Sequence, residues 1–430
     1  MKVVIIGGGI GGMSLALSLV AAGLEEIDIY ESAPAIRELG VGINVMPHAI
    51  RELTELGLLD HLLAVGIPTA DFAYYSRRGQ WIWGEPLGKD AGYRWPQLSI
   101  HRGELLGVLQ RAVVERLDAR RIHTGHHLAR FGQRTGGGVW AEFVDRATGA
   151  PVDRIEADLV VGCDGIHSTV RRTLYPDEGP PKWNGVTMWR GTTLGKPFLS
   201  GRTVVNAGST RQRVVVYPIS RTHEDRGRAL VNWVATMKVA GAAGIPPQDW
   251  SYTAPTEEVL EPFRSFNFDF LDVPALIRDA EAIYRYPMVD RDPLPSWNFG
   301  RVTLLGDAAH PMHPVGGNGS SQAIIDGRVL ARELALQASI EAALAAYDDQ
   351  RRPATAAVVQ SNRRAGPHRC QDLVEDRAPD GFTELHEVVS QQELEEIAGD
   401  YKRVAGYEID TLNNRPSLSV DPAQLRRPLL

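Results

Sequence analysis

The spacing of apolar and polar positions changes several times along the chain, and each change predicts a different element. KVVII, Lys2–Ile6, is a β-branched run that predicts a buried parallel strand, and MSLALSLVAAG has the apolar spacing of a helix. Between them lies GGGIGG, Gly7–Gly12, and a second apolar strand, IDIY, ends at Glu31. PHAIRELTELGLLDHLLAVG predicts a helical hairpin, FAYYSRRGQWIWGEP two strands turning at Arg78-Gly79, and HRGELLGVLQRAVVERL an amphipathic helix. Short strands are expected around Gly125 to Asp145, and ADLVVGCDG predicts another buried strand ending in a glycine turn. From about Trp183 to Tyr286, the segments VTMWRGTT, TVVN, RVVVYPIS and ALVNWVATM are strand-like, with helices near Glu257–Arg264 and Pro274–Ala282. RVTLLGDAAH returns to a strand of the first unit, and the chain is mostly helical from SSQAIIDGRVLARELA through Arg364. NNRPSLSVDPAQLRRPLL, with its turn formers and two late prolines, predicts an extended tail.

This order predicts an α/β chain with a Rossmann-like nucleotide-binding domain, an interleaved β-sheet domain and a helical C-terminal region. The first domain is discontinuous, expected at 1–70, 98–182 and 287–345. The second takes 71–97 and 183–286, and helices and tail take 346–430. A length of 430 residues fits two to three domains of about 150 residues, and a 43% hydrophobic content supplies sizeable cores. The net charge of -7 offers no attractive footprint for nucleic acid or an anionic membrane. Arg351-Arg352 and Arg363-Arg364 sit among acids and read as solvated helix faces. Cys163 and Cys370 are too few and too far apart for a disulfide framework or a metal site, and are expected to be free thiols. No basic leader and no apolar run of about 18 residues is evident, so a cytoplasmic protein is expected, monomeric or homodimeric.

The glycine loop after the first strand carries the first candidate chemistry. Gly7 suits the tight turn, Gly9 lets backbone N–H groups approach a pyrophosphate, and Gly12 lets the helix pack closely on the strand. The helix start adds orphan donors and partial positive charge. Glu31, at the end of the second strand, is placed to accept hydrogen bonds from an adenosine ribose. One such loop alone is a weak signal, but strand, helix and acid in register strengthen it. A second glycine-rich loop, GDAAHPMHPVGGNG, spans Gly306–Gly319.

Together GGGIGG, GVGINVMPHAIRELTELGL, SIHRGEL, DLVVGCDGIHSTVRR and GRVTLLGDAAHPMHPVGGNGSSQAI resemble the class A FAD-dependent aromatic monooxygenases, the family of p-hydroxybenzoate and salicylate hydroxylases. VTMWRG, YPIS, LVNWV and YPMVDRDPLP extend the likeness to the phenazine hydroxylases within it. The resemblance covers roughly Val3 to Arg364. It implies that the two glycine loops grip opposite parts of one noncovalent FAD, with NADH or NADPH as a transient reductant and O2 as co-substrate. Reduction, formation of a flavin C4a-hydroperoxide and attack by an electron-rich ring would follow. Arg102 is then expected on the pyrophosphate and ribityl region, Asp164 near the FAD, and Gly306 and Asp307 at a ribityl hydroxyl; Val41 and Leu128 complete the cofactor contacts. Asp164 also reads as a helix N-cap. Pro314, Gly317, Asn318 and Gly319 are expected beside the isoalloxazine ring, where the helix start would stabilise negative charge on the reduced flavin. Where p-hydroxybenzoate hydroxylase carries arginines, this chain has Val41, Gly42 and Ile43, so that enzyme's flavin gating does not transfer.

Pro314, Gly317, His313, Arg213 and Tyr217 are the catalytic candidates. In RQRVVVYPIS a period of two puts Arg213, Val215 and Tyr217 on one face, where a cation and a phenol suit a planar aromatic carboxylate; core and surface positions are the alternative. Trp189, Tyr217, Trp233 and Met288 are candidates for a flat apolar substrate slot, although aromatics in strands are more often core. His310 and His313 lie in a proline-bearing loop without an acidic third ligand, and no metal is expected. WIWGEP, Trp81–Pro86, approaches a halogenase signature but has Glu85 where the signature has isoleucine. The expected activity is therefore ring hydroxylation of an aromatic or N-heteroaromatic, phenazine-like acid. A flavin halogenase, another FAD oxidoreductase and a non-catalytic flavin-binding partner are the alternatives.

Overall fold

The computed structural model describes residues 1–36, 40–239, 252–421 and 423. Five parallel strands form one sheet in the order Val302–Leu304, Leu159–Gly162, Val3–Ile6, Ile27–Tyr30 and Ile122–His123. The central strands are buried along their whole length, as expected where helices and loops cover both faces of a parallel sheet. Val160 pairs with Val302, so the end of the chain's third quarter completes a sheet begun at residue 3.

Two helices that follow the glycine loops are pressed together. A Cβ added at Gly327 of the helix Gly319–Leu336 would stand 3.1 Å from the Leu15 backbone of the helix Ile10–Ala21, and one at Gly11 would stand 3.0 Å from Leu305. Small residues at this crossing let two helix starts, far apart in sequence, open onto one region. The helix Arg102–Leu117 packs beside Ile10–Ala21. An antiparallel sheet of His127–Gln133, Val139–Val144 and Pro151–Ala157 joins the same core, where Phe143 stacks on Tyr30 at 4.3 Å.

The second sheet has seven strands, in the order Ile283–Asp290, Lys182–Gly195, Ala229–Lys238, Gln212–Pro218, Thr203–Gly208, Asp71–Tyr75 and Trp81–Pro86. Its far face packs on the helices Thr256–Phe263 and Val273–Arg278, with Trp189, Trp233, Val214, Val216 and Phe263 in that core. The strand Ile283–Asp290 continues in this sheet beyond position 286, four residues further than the sequence pattern suggests. The near face meets a small sheet of Gly42–Val45, Gln97–His101 and Ile67–Thr69.

Beyond the helix Ile340–Arg363 the chain forms the helices Arg369–Arg377, Gln391–Ala405 and Ile409–Asn414. Asn413 and Asn414 are therefore helical rather than part of an extended tail. The stretch that follows is tied down: Arg415 pairs with Glu52 at 2.6 Å, and Ser417 and Ser419 donate to Glu55. Residues 422 and 424–430 of the expected tail lie outside the described residues. Among the described residues no helix is long and apolar enough to cross a membrane.

Candidate flavin cleft and active site

At the first glycine loop, Gly7 has φ +108° and lies against the Cys163 carbonyl, which an added Cβ would approach to 2.4 Å. A Cβ at Gly12 would reach the Gly7 carbonyl oxygen at 2.0 Å. Both glycines are fixed by protein contacts. Gly9 differs, because an added Cβ there meets nothing within 4 Å. It begins the helix Ile10–Ala21 with no side-chain cap and no acid in the first turn, leaving the first N–H groups for a ligand. Glu31 stands beside this loop. Its Oε2 accepts the Gly8 N–H at 2.8 Å and its Oε1 the Ala33 N–H at 2.8 Å, which leaves lone-pair capacity on the carboxylate.

The second loop mirrors the first. Gly306, with φ +61°, has Ala323 against it at 3.1 Å from an added Cβ, and its N–H donates to Asp326 at 3.2 Å. Gly316 and Gly317 have φ +69° and +65°, and an added Cβ at Gly317 would stand 3.0 Å from Met46. Asn318 and Gly319 start the helix Gly319–Leu336, again without a side-chain cap or a first-turn acid. Pro314 is exposed at the mouth of this loop.

Arg102 and Asp307 are reached by solvent, yet protein crowds each of them. Side chains lining a narrow open cleft satisfy both conditions. Burial pushes the Arg102 guanidinium down and the Asp307 carboxyl up, while attraction between the two acts against both shifts. Val41 is buried and its carbonyl accepts the Arg102 N–H at 2.9 Å, which seats the arginine at its helix start. Open space at Gly9, two uncapped helix starts and an arginine–aspartate pair in a cleft together fit an elongated dianionic dinucleotide. The residues present therefore fit FAD.

Asp164 is turned inward. Its carboxylate accepts the Ser168 hydroxyl at 2.5 Å and the Thr169 and Val170 N–H groups at 2.7 and 3.2 Å, which organises the start of Thr169–Leu174. Burial pushes its pKa up and these donors hold it down. The Leu128 side chain is 2% exposed and packs in the core. His313 buries its ring near Asp290, with Nε2 at 3.6 Å from Oδ2, and its carbonyl accepts from Asn362 at 3.0 Å. His310 is buried too, with Nε2 2.5 Å from Asp326, which also takes Arg351 at 2.7 Å.

Strand pairing defines the near face of the large sheet. Arg213 pairs with Thr236, Thr236 with Met188, and Met188 with Tyr286, and the next row runs Val215, Val234, Arg190 and Tyr284. Tyr217 is on the same face by its period of two, and Met288 follows Tyr286 there. Trp189 and Trp233 are on the far face. Trp189 donates to Glu258 at 2.8 Å and Trp233 to Thr193 at 3.2 Å within the outer core, so neither shares a slot with Tyr217. The pleat imposes this, since Met188 and Arg190 flank Trp189 and point the other way.

Several residues at the site carry no motif. Arg190 donates to the Gly42 carbonyl at 2.6 Å and hydrogen-bonds the Tyr217 hydroxyl, while Asn232 accepts the Gly42 N–H at 2.6 Å. An added Cβ at Gly42 would stand 2.6 Å from Asn232, so glycine is what lets the small sheet dock on the large one. Arg171, 1% exposed, donates to the Ala308 and Ala309 carbonyls at 3.1 and 2.8 Å and joins the two aspartate turns. Arg213 is 4% exposed with no partner for Nη1, and the side-chain polar atoms of neighbouring Asn206 and Thr236 are also unpaired. The strand Trp81–Pro86 is the far edge of the sheet, where Trp81 is 51% exposed and Glu85 pairs with Lys402 at 2.6 Å.

Comparison with known proteins agrees with this geometry. The pattern of the family described as FAD binding domain matches residues 1–261 and 270–362. A phenazine 1,6-dicarboxylic acid hydroxylase of Lysobacter antibioticus is 44% identical over 362 residues, 84% of this chain and 89% of that protein. An aurachin C monooxygenase/isomerase of Stigmatella aurantiaca is 34% identical over 350 residues, 81% of this chain and 84% of that protein. The crystal structure of Klebsiella pneumoniae HpxO complexed with FAD and uric acid superposes with a TM-score of 0.72 at 25% identity, covering 96% of both chains.

Proposed function

Because the chain belongs to the FAD binding domain family, as a flavoprotein monooxygenase of the aromatic-hydroxylase kind, we propose that its substrate is a planar N-heteroaromatic carboxylic acid of the phenazine class. When bound, FAD would supply the chemistry by which NAD(P)H and O2 put one oxygen atom on the ring, the other leaving as water. The chain's own residues bind, orient and exclude water.

In this reading the helix start at Gly9 holds the pyrophosphate and Glu31 the ribose. Arg102 and Asp307 grip the middle of the cofactor, and the loop from Pro314 to Gly319 lies along its ring. The partial positive charge of the helix start at Asn318 and Gly319 favours negative charge on that ring without a side-chain cation. The near face of the large sheet forms the opposite wall, with Met288 supplying apolar surface and Tyr217 held by Arg190. His313 supports the loop through its carbonyl bond to Asn362.

The observation that carries the substrate class is the unpaired polar cluster of Arg213, Asn206 and Thr236 on that wall. Buried polar groups without partners cost about 1–3 kcal/mol each, and a carboxylate can accept from the donors of this cluster, Arg213 Nη1, Asn206 Nδ2 and the Thr236 hydroxyl. Burial lowers the Arg213 pKa to about 10, so it stays charged at neutral pH. The test is a panel of ring compounds with and without a carboxyl group, scored by NAD(P)H consumption and a product about 16 mass units heavier. Arg213→Gln is expected to raise KM for acids and leave the neutral analogues unchanged. Preference for the neutral compounds in the unaltered protein would refute the carboxylate assignment.

A further inference from the structure

The match to the family pattern stops at residue 362, but the chain beyond it returns to the ring-side loop. Tyr401, on the helix Gln391–Ala405, is 3% exposed, and its ring fills the space between two glycines. An added Cβ at Gly316 would lie 2.2 Å from the Tyr401 hydroxyl, and one at Gly366 would lie 3.1 Å from the ring carbon Cε2. The hydroxyl is 3.1 Å from the Val315 carbonyl, 3.1 Å from Asn362 Oδ1 and 3.1 Å from Asn318 Nδ2. A phenol has one proton, so it donates to one of the two carbonyl oxygens at a time while accepting from Asn318. Burial pushes the phenol's pKa up, which keeps that proton in place. Asn362 in turn donates to the His313 carbonyl at 3.0 Å, so the loop is fastened at His313, Val315 and Asn318.

We infer that Tyr401 is a positioning residue for the flavin ring, supplied by the C-terminal segment: its hydroxyl holds the Val315–Asn318 backbone so that the helix start at Gly319 presents its N–H groups to the ring. This rests on the reading of Pro314–Gly319 as the ring-side grip. Loop and hydroxyl act together, because Gly316 has room for no side chain while Tyr401 is in place.

The test compares Tyr401→Phe with Lys402→Met, which breaks the pair with Glu85 on the same helix without touching the loop. In Tyr401→Phe, the FAD dissociation constant is expected to rise about 3- to 10-fold, the range that one hydrogen bond carries. The flavin's visible absorption band shifts, and hydrogen peroxide released per NAD(P)H rises as coupling loosens. Lys402→Met is expected to lower Tm and leave all three unchanged. An unaltered spectrum, affinity and coupling in Tyr401→Phe, or the same changes in Lys402→Met, overturns the inference. If Tyr401→Phe does not fold, Asn318→Ala removes the loop's own bond to the same hydroxyl, and the same spectral shift is required of it. A parent protein that holds no flavin overturns the ring-side reading itself; a flavin-bound parent beside an unchanged variant overturns only the role of Tyr401.

Discussion

Two glycines three residues apart in the first loop should respond to alanine in opposite ways. At Gly12 the new methyl group would sit 2.0 Å from the Gly7 carbonyl oxygen, over 1 Å inside contact, with backbone that has little freedom to retreat. Forced overpacking of this kind costs about 1–3 kcal/mol or more of stability. At Gly9 the methyl group meets no protein atom within 4 Å, and φ is −79°, which alanine adopts freely. Losing a glycine at the helix start costs well under about 1 kcal/mol, offset by the smaller entropy of the unfolded chain. Gly9→Ala should therefore leave the apoprotein within about 1 kcal/mol of its parent. The methyl group does enter the space assigned to the pyrophosphate. Displacing one charge-assisted hydrogen bond, about 1.5–3 kcal/mol, weakens FAD binding roughly 10- to 100-fold. Urea unfolding of both apoproteins and titration of FAD by flavin fluorescence read the two quantities separately. Wild-type FAD affinity in Gly9→Ala, or an apoprotein as damaged as Gly12→Ala, would refute the reasoning.

Other consequences follow from the buried charges and rings. His48 is fully buried with its pKa lowered to about 3, chiefly by desolvation, then by Arg415 and Arg351. The unfolded chain takes up its proton near pH 6.5 while the folded chain does not, so stability is full above that pH and falls as pH drops toward 3. Between pH 7.5 and 5.5 this histidine should cost about 1.4 kcal/mol. Unfolding free energies from urea melts at the two pH values should differ by that much less in His48→Asn, and an unchanged difference rules the histidine out. Trp233→Phe should lower stability by about 1–3 kcal/mol and leave KM for the aromatic substrate unchanged, because its ring is in the outer core. A KM rise matching that of Met288→Ala would return Trp233 to the substrate side. Arg171→Met should cost about 2–4 kcal/mol by leaving the Ala308 and Ala309 carbonyls without their donor and Glu178 with Arg291 as its remaining partner, with weaker FAD binding through the Asp307 turn; chemical denaturation with and without FAD checks both.

Parallel strands, glycine turns and the helices after them were legible because each is a local pattern, β-branched runs punctuated by glycine. The two aromatic assignments that changed, Trp189 and Trp233, failed for a definable reason. One strand's period of two separates its faces but does not say which face meets the cofactor; that needs the register with neighbouring strands. Once Arg213 and Tyr217 define the near face, pairing Arg213 with Thr236 and Thr236 with Met188 puts Trp189 opposite. The same parity would have brought out Arg190, one position along. Arg171 and Tyr401 had no such signal. Each acts on backbone carbonyls of a segment more than 80 residues away, and an arginine or tyrosine on a short amphipathic helix looks alike in sequence whether it reaches solvent or a distant loop.

The closure of the parallel sheet by Val302–Leu304, and of its loop by Tyr401, also sets when the cofactor can be captured during synthesis. Glu31 leaves the ribosome about 370 residues before Tyr401, an interval of roughly 20 to 75 seconds at about 5–20 residues per second. Until Val302–Leu304 and the loop after it emerge, the nascent chain has a nucleotide-binding turn with no second jaw and, once Leu159–Gly162 has been made, a strand with one side unpaired. Losses of the unfinished polypeptide to proteolysis and aggregation would therefore be the same whatever the flavin supply, and a shortage of flavin would act on finished molecules, which alone have both jaws to close on it.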